Sequence, residues 1–451
     1  MQKNNLSSRR HFLKQSLKLA AAPLILNFPL FGKDAPSNRL NLALIGCGNM
    51  GVSGDLKNAL ACGANIIAVC DVDEAMMSKA IKSGGDKMLT TARYTDYREL
   101  LEKENSLDGV IIATPDHWHA AICSYYLKAN KHVYCEKPLT RTIAEARRLR
   151  KLVATSRSVT QMGNQGSANP ALRRSIEVIK AGALGTVTHT HVVSPGERYP
   201  TGVNRPAGED PIPQGFNWDF WVGPSPIRPY KTDIYHPYKW RGWLDFGTGQ
   251  IGNWATHSLN IVIRALELGM PDRIKINGTG LGKEAYWTGG TITYQFNTCN
   301  TGKPFSIYWH ENIPTPDAFK GLPKNDEGTA GVVIVGDKGT LYTNPHNGHV
   351  LIKLNGEQIW KDILWHQPTH TIAATLPRVK SHMQEWLDGC QGGPKPYSSF
   401  DIATRMTETC LLGLLGTQLG SSFDYDPVAG KPKSLSADHL IDPVQRTNWI
   451  S

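Results

Sequence analysis

Cysteine is scarce, with eight in 451 residues, and no two stand in C-x-x-C spacing or in a cluster with histidine. A disulfide scaffold and a thiolate metal site are both excluded, and no metal is expected. Cys47, Cys70 and Cys135 sit in or beside apolar strand-like runs and read as small core residues. No apolar run reaches the about 20 residues a membrane-spanning helix needs, and there is no internal repeat or low-complexity tract. Acidic residues are missing from the first 33 positions, where Lys3, Arg9, Arg10, Lys14, Lys18 and Lys33 all precede Asp34. Those six cations account for most of the formal charge of +10, leaving +4 on the rest, so a nucleic-acid partner loses its support. With 40% apolar and 20% charged residues the chain is globular, and its length suits two or three domains.

Ser8-Arg9-Arg10-His11-Phe12-Leu13-Lys14, followed by the apolar stretch from Leu17 to Phe31, resembles a twin-arginine export signal. That resemblance implies export of a folded protein, often with its cofactor in place, and a periplasmic location. The expected signal segment is 1–33, and contact with the membrane is expected only through it.

From Leu40 onward, short aliphatic runs alternate with helix-length segments: Leu42 to Ile45, Ile66 to Cys70, Gly109 to Ala113, His132 to Tyr134, and Val159 to Met162. The pattern predicts a doubly wound parallel sheet over 38–163, with a helix at Thr142 to Thr155. A helix from Ala171 to Ala181 opens the remainder, 164–451. Strand-like runs follow at 186–193, 273–278, 291–296, 305–309, 331–335 and 340–343, with few helices between them. This predicts an α+β domain with a mostly antiparallel sheet. Helices return at Ser381 to Asp388 and Ile402 to Leu419 and are expected to pack back on the first domain. Tyr199 to Gly249, rich in Pro, Gly, Trp and Tyr, is too long for an inert connection and reads as a binding loop.

Gly46-Cys47-Gly48-Asn49-Met50-Gly51 closes the first strand and opens a helix. The first glycine permits the tight turn, the second lets the backbone approach a pyrophosphate, and the third lets helix pack on strand. Asp71 stands 20 residues after Gly51 at the end of the next strand, where a carboxylate accepts both ribose hydroxyls. A carboxylate there repels a 2′-phosphate, so NAD is favoured over NADP.

Thr114-Pro115-Asp116-His117-Trp118-His119 and then Cys135-Glu136-Lys137-Pro138 complete a pattern that, with the glycine-rich turn, resembles the Gfo/Idh/MocA oxidoreductases. The resemblance runs from Leu40 to about Leu419. It implies a Rossmann domain followed by an open-faced sheet domain, NAD(P) chemistry on sugars and cyclitols, and a homo-oligomer, dimer or tetramer. By position it implies Thr114, Pro115 and His119 along the cofactor, Glu136 on the nicotinamide side, Lys137 in the active site, and a cis bond before Pro138. The family's acid and histidine four apart on a helix meet Asn253 and His257 here, with an amide in place of the acid. Asn253 would then orient His257 as general base without raising its basicity. Tyr235, His236, Trp240 and Arg241 supply the aromatic faces and polar heads of a carbohydrate site, and Gln165 follows the last Rossmann strand within reach of nicotinamide or substrate.

These readings converge on an exported NAD enzyme that oxidises or reduces a secondary hydroxyl of a sugar or glycoside. The same residues also suit a redox-neutral glycoside cleavage by oxidation, elimination, hydration and re-reduction, and a non-catalytic sugar or dinucleotide binder is the third reading.

Overall fold

The computed structural model describes residues 39–196, 199–322 and 329–449; the export-signal reading at 1–33 lies outside them. Six strands form the first sheet: β1 (Asn41–Ile45), β2 (Asn65–Cys70), β3 (Ala92–Tyr94), β4 (Gly109–Ile112), β5 (His132–Cys135) and β6 (Thr160–Met162). Their order is β3-β2-β1-β4-β5-β6, every pair parallel. The order reverses between β1 and β4, and the crevice at such a switch point is where open α/β sheets take ligands. Leu42, Ala43, Leu44 and Val110 to Ile112 are fully buried, because helices cover both faces. The helix Ile143–Thr155 starts at a reciprocal cap in which the Thr142 hydroxyl accepts from the Glu145 amide at 3.2 Å and the Glu145 carboxylate accepts from the Thr142 amide at 3.0 Å.

The second sheet has ten strands: β7 (Val187–Val193), β8 (Arg273–Thr279), β9 (Gly289–Phe296), β10 (Phe305–Glu311), β11 (Gly331–Gly336), β12 (Gly339–Thr343), β13 (Val350–Leu354), β14 (Lys361–Asp362), β15 (Phe423–Asp426) and β16 (Lys431–Pro432). They run in the order β14-β13-β12-β11-β7-β10-β9-β8-β15-β16, antiparallel except where β7 meets β10. Period-two alternation splits the faces: Thr190 and Val192 point into the core while His189 and His191 take the other side, and Val187 joins the core on the far side of a register shift in the β7–β11 pairing. The core face is covered by the helices Pro170–Lys180, Asn260–Ala265 and Phe400–Leu419.

The helix Phe400–Leu419 joins the two sheets physically. Its first turns place Phe400, Ala403 and Met406 in the core that holds Val133, Leu149 and Met162, and its later turns place Cys410 to Leu415 against the second sheet. The helix His382–Cys390 reaches the opposite face of the parallel sheet, where Met383, Trp386 and Leu387 pack with Leu42 and Leu44. Residues 40–451 accordingly form one compact unit.

The segment 199–249 has little regular structure, but it is packed on itself. Trp218, Trp221, Tyr230, Tyr235, Trp243 and Phe246 make a buried aromatic cluster, with Trp218 stacked on Trp221 at 4.9 Å. Backbone hydrogen bonds fasten the segment to the turn after β2, from the Glu74 amide to the Gly215 carbonyl at 3.0 Å and from the Asn217 amide to the Val72 carbonyl at 2.9 Å. The His117 ring lies between the carbonyls of Trp221 (2.9 Å) and Phe246 (3.2 Å).

Three strand groups escaped the sequence pattern. β3 is three residues with no apolar run, β14 to β16 lie at the two ends of the second sheet and are too short to alternate, and Val350 to Ile352 is an apolar triplet that periodicity alone does not assign.

Met406 is 1% exposed and sits where the helix crosses from one core to the other. Met406→Ala is expected to lower stability by about 2–5 kcal/mol, read by denaturant unfolding, with the two domains still unfolding in one transition; a loss under about 1 kcal/mol would mean the helix is not the joint.

Candidate active site

A cavity of about 370 Å³ opens at the carboxyl edge of the parallel sheet. Gly46, Gly48, Asn49, Met50, Asp71, Thr114 and Pro115 line one end, and Glu136, Lys137, Pro138, Trp240, Arg241 and Asn253 line it as well. Gly46 has φ +92°, and a Cβ there would stand 2.6 Å from the Ala113 carbonyl and the Thr114 amide, so only glycine lets the two turns meet. A Cβ on Gly48 would meet nothing within 4 Å, the open cradle a pyrophosphate needs. Gly51 lies behind the cavity wall, where a side chain would collide with the Gly46 carbonyl, so its part is helix-on-strand packing. The turn opens as a π-helical segment, Gly51–Leu56, before becoming α-helix at Lys57–Ala61.

Asp71 is half-buried, its carboxylate accepting from the Cys47 amide at 2.6 Å and the Asp73 amide at 3.0 Å, with the Val72 amide also acting on it. A carboxylate has about four acceptor sites, which leaves room for a ribose hydroxyl. Burial raises its pKa to about 6 against the opposing pull of those amides. The open cradle and this carboxylate together fit an adenosine dinucleotide.

At the other end the Lys137–Pro138 peptide bond is cis. The Lys137 ammonium donates to the Asn253 side-chain oxygen, and burial brings its pKa down to about 8 although Glu136 opposes the shift. Glu136 accepts from Gln165 Nε2 at 2.7 Å and from the Lys137 amide at 3.3 Å, and burial lifts its pKa to about 7. An amine and a carboxyl that both titrate near neutrality in one crevice mark a proton-transfer site.

Several expected residues have other roles. His119 does not line the cavity: Nδ1 faces the Pro138 carbonyl at 2.7 Å and Nε2 the Thr114 carbonyl at 2.9 Å, so it ties the two cavity turns together from behind. Gln165 likewise stays outside the cavity lining and braces Glu136. Tyr235 is 1% exposed inside the aromatic cluster. His236 does face the cavity, stacked on Phe216 at 4.8 Å and hydrogen-bonded to Asp73 at 3.1 Å.

The largest correction concerns His257. Asn253 and His257 were expected to share a helical face with the amide orienting the imidazole; Ile251–Ala255 is a π-helical segment that passes into a short α-helical turn at Thr256–Ser258. Asn253 turns to Lys137 instead. His257 packs its ring on Trp254 and His346 outside the cavity lining, with Nδ1 unpartnered. Burial, then the Lys137 charge, holds its pKa well below the ordinary value.

Two acids were not singled out beforehand. Asp116 lines the cavity and accepts from the Thr248 hydroxyl at 2.6 Å, with burial raising its pKa; its place at the start of the helix after β4 was the available signal. Asp55 lies buried within the π-helical segment, linked to Tyr134, and nothing in its sequence context marked it.

A parallel sheet with a dinucleotide cradle joined to an open-faced sheet, with titratable groups at their junction, defines a Rossmann-type dinucleotide-binding fold. The chain belongs to the Gfo/Idh/MocA family: residues 40–164 match the oxidoreductase family's NAD-binding Rossmann fold and residues 199–301 its C-terminal alpha/beta domain. Inositol 2-dehydrogenase 1 of Saccharopolyspora erythraea is 30% identical over 157 residues, 34% of this chain and 45% of that protein. A glycosyl hydrolase family 109 protein of Shewanella pealeana is 28% identical over 206 residues, 40% of this chain and 44% of the relative. The match thus spans less than half the length of these curated relatives. Among solved structures, levoglucosan dehydrogenase in complex with NADH and levoglucosan aligns with TM-score 0.57 at 18% identity over 86% of this chain and 99% of that one. An inositol dehydrogenase homolog from Azotobacter vinelandii, complexed with NADH and myo-inositol, gives 0.59 at 17% over 86% and 98%. These structural likenesses establish the shared fold.

Protonation of Asp71 removes a ribose acceptor, so cofactor affinity should fall as pH drops through about 6. Titrating cofactor-stripped protein with NAD between pH 5 and 8 checks this. Asp71→Ala should bind about 10- to 100-fold more weakly, by the cost of losing hydrogen bonds to a charged group, with that pH dependence gone.

Proposed function

We propose that the chain is an NAD-dependent oxidoreductase that oxidises or reduces a secondary hydroxyl of a sugar or glycoside. The observation that carries the reading is Lys137, a buried amine with its pKa near 8, in the same cavity as the Gly46–Met50 cradle and Asp71. Gly46, Gly48, Asn49, Met50, Asp71, Thr114, Pro115 and Glu136 would hold the dinucleotide. When bound, the nicotinamide supplies a two-electron acceptor beside a carbinol carbon.

The remaining work falls to this chain's own residues. Lys137, neutral above about pH 8, takes the hydroxyl proton, and the resulting ammonium stabilises the negative charge left on that oxygen, which stays bound to carbon as the carbonyl forms. Asn253 fixes the amine in place through its side-chain oxygen. Glu136, braced by Gln165, holds negative charge at the amine's base and favours the ammonium once it forms. The proton role is assigned to Lys137, whose amine lines the cavity, with His257 near enough for the Lys137 charge to act on its ring.

The cofactor stays bound across turnover in this proposal. The segment 199–249 is fastened to the turn after β2 at Val72, Asp73 and Glu74, beside the ribose carboxylate. The twin-arginine pattern supports export to a compartment without a dinucleotide pool, where a second substrate would reoxidise the cofactor in place. Similarity to family 109 glycosyl hydrolases supports a second reading, glycoside cleavage without net oxidation.

The protein is expected to purify with NAD, released on denaturation; recovery of NADP would contradict the Asp71 reading, and a chain that neither carries nor rebinds NAD would contradict the retained cofactor. A glycoside panel read by reduced-nicotinamide absorbance and product mass separates net oxidation from cleavage without net reduction, and no reaction at all favours a binder.

Lys137→Ala should lose about 100-fold or more in kcat, the usual range for general base catalysis, with unfolding unchanged. Asn253→Asp sets a carboxylate against the amine and raises its pKa, so the limb of the kcat–pH profile near pH 8 should move upward by about one unit or more. An unmoved limb would take Lys137 out of the proton transfer.

A further inference from the structure

Three cations face the cavity, Lys79, Lys137 and Arg241, together with the acids Asp71, Asp116 and Glu136 and the imidazole of His236. Most of these groups have a donor or acceptor engaged: Asp71 with the Cys47 and Asp73 amides, Asp116 with Thr248, Glu136 with Gln165, His236 with Asp73 and Lys137 with Asn253. Lys79 has no hydrogen bond or ion pair among the described residues and stands on the helix Glu74–Gly84 that follows Asp71. Arg241 differs. Its guanidinium lies over the rings of Trp240 at 4.3 Å and Tyr238 at 4.5 Å. Its one hydrogen bond among the described residues is a long one, Nη1 to the Tyr238 carbonyl at 3.3 Å, and it makes no ion pair among them.

The two rings hold the plane of the guanidinium and leave its donor edge free, the arrangement that suits a planar, two-oxygen acceptor. The Arg241 charge also reaches Lys137, Glu136 and Asp116, which sets it at the chemical end of the cavity. Lys137 is partnered by an uncharged amide, and Arg241 has no carboxylate partner among the described residues, so an incoming carboxylate would give the guanidinium its ion pair.

We propose that the substrate is a sugar acid: Arg241 grips the carboxylate of a hexuronate, free or glycosidic, edge-on, and so brings a ring hydroxyl to Lys137. The inference rests on the reading of the site as a sugar oxidoreductase and names its substrate class.

The test uses the full chain loaded with NAD and matched substrates: methyl glucoside against methyl glucuronide, methyl galactoside against methyl galacturonide, and glucose 6-phosphate. Binding is read by quenching of tryptophan fluorescence, turnover by reduced-nicotinamide absorbance and product mass. In at least one pair the uronate should be favoured by about 10- to 100-fold in kcat/KM, the range for hydrogen bonds to a charged group. Arg241→Met should collapse that ratio toward one, and Arg241→Lys, which keeps the charge but loses the fork, should retain only part of it. The kcat–pH limb of Lys137 should also lie higher with the uronate than with its neutral partner, since a bound carboxylate favours the ammonium. Neutral sugars oxidised as well as their uronates would overturn the sugar-acid class and leave the oxidoreductase reading standing. Preference for the phosphate would overturn the carboxylate. If no sugar of any kind binds or reacts, both readings fall. Should Arg241→Met not fold, the wild-type ratios and Arg241→Lys decide alone.

Discussion

An amine buried at the carboxyl edge of a parallel sheet is the constraint around which this molecule is arranged. Taking an ammonium out of water costs several kcal/mol unless partners replace its hydration. Here Glu136 adjoins Lys137 along the chain, and Asn253 comes from a distant π-helical segment. Asn253 can reach the amine only because the second domain is locked to the first, and the lock is the helix Phe400–Leu419, whose side chains belong to both cores. Stability far from the cavity therefore bears directly on the proton affinity of one side chain.

The parallel sheet was the most legible part of the chain. Its strands are buried on both faces, so they read as continuous aliphatic runs punctuated by the glycine-rich turn, and Asp71 and Lys137 fall where those runs end. The antiparallel sheet was legible in its centre and lost at its edges, where β14 to β16 have two to four residues and no room for alternation. The site was half legible. Residues fixed by a strand end, such as Lys137, line the cavity, while the partners of side chains farther along the chain were harder to read. The reading of Asn253 and His257 paired them with each other, whereas Asn253 accepts from Lys137 and His257 packs on Trp254 and His346. His119, Gln165 and Tyr235 show a related limit. Proximity to a motif does not tell a side chain that meets the ligand from one that braces a neighbour that does.

The loop 199–249 explains how an irregular segment can build a precise wall. Its backbone forms few ladders, so order must come from side chains, and the aromatic cluster around Trp218 and Phe246 supplies it. His117 makes this cluster part of the Rossmann domain. Burial pushes its pKa down to about 3 against the opposing pull of the two carbonyls, so the neutral ring donates to one of them at a time. The clamp is thus insensitive to acidity, whereas the groups it encloses, Asp71 near 6, Glu136 near 7 and Lys137 near 8, span the range in which protons move.

That ladder of affinities follows from one cause acting on groups of opposite sign. Burial raises carboxyls and lowers amines, so a single dry crevice draws Asp71, Glu136 and Lys137 together from ordinary values near 4 and 10. Closeness in pKa between Glu136 and Lys137 makes the proton cheap to relocate, which a reversible oxidation requires in both directions.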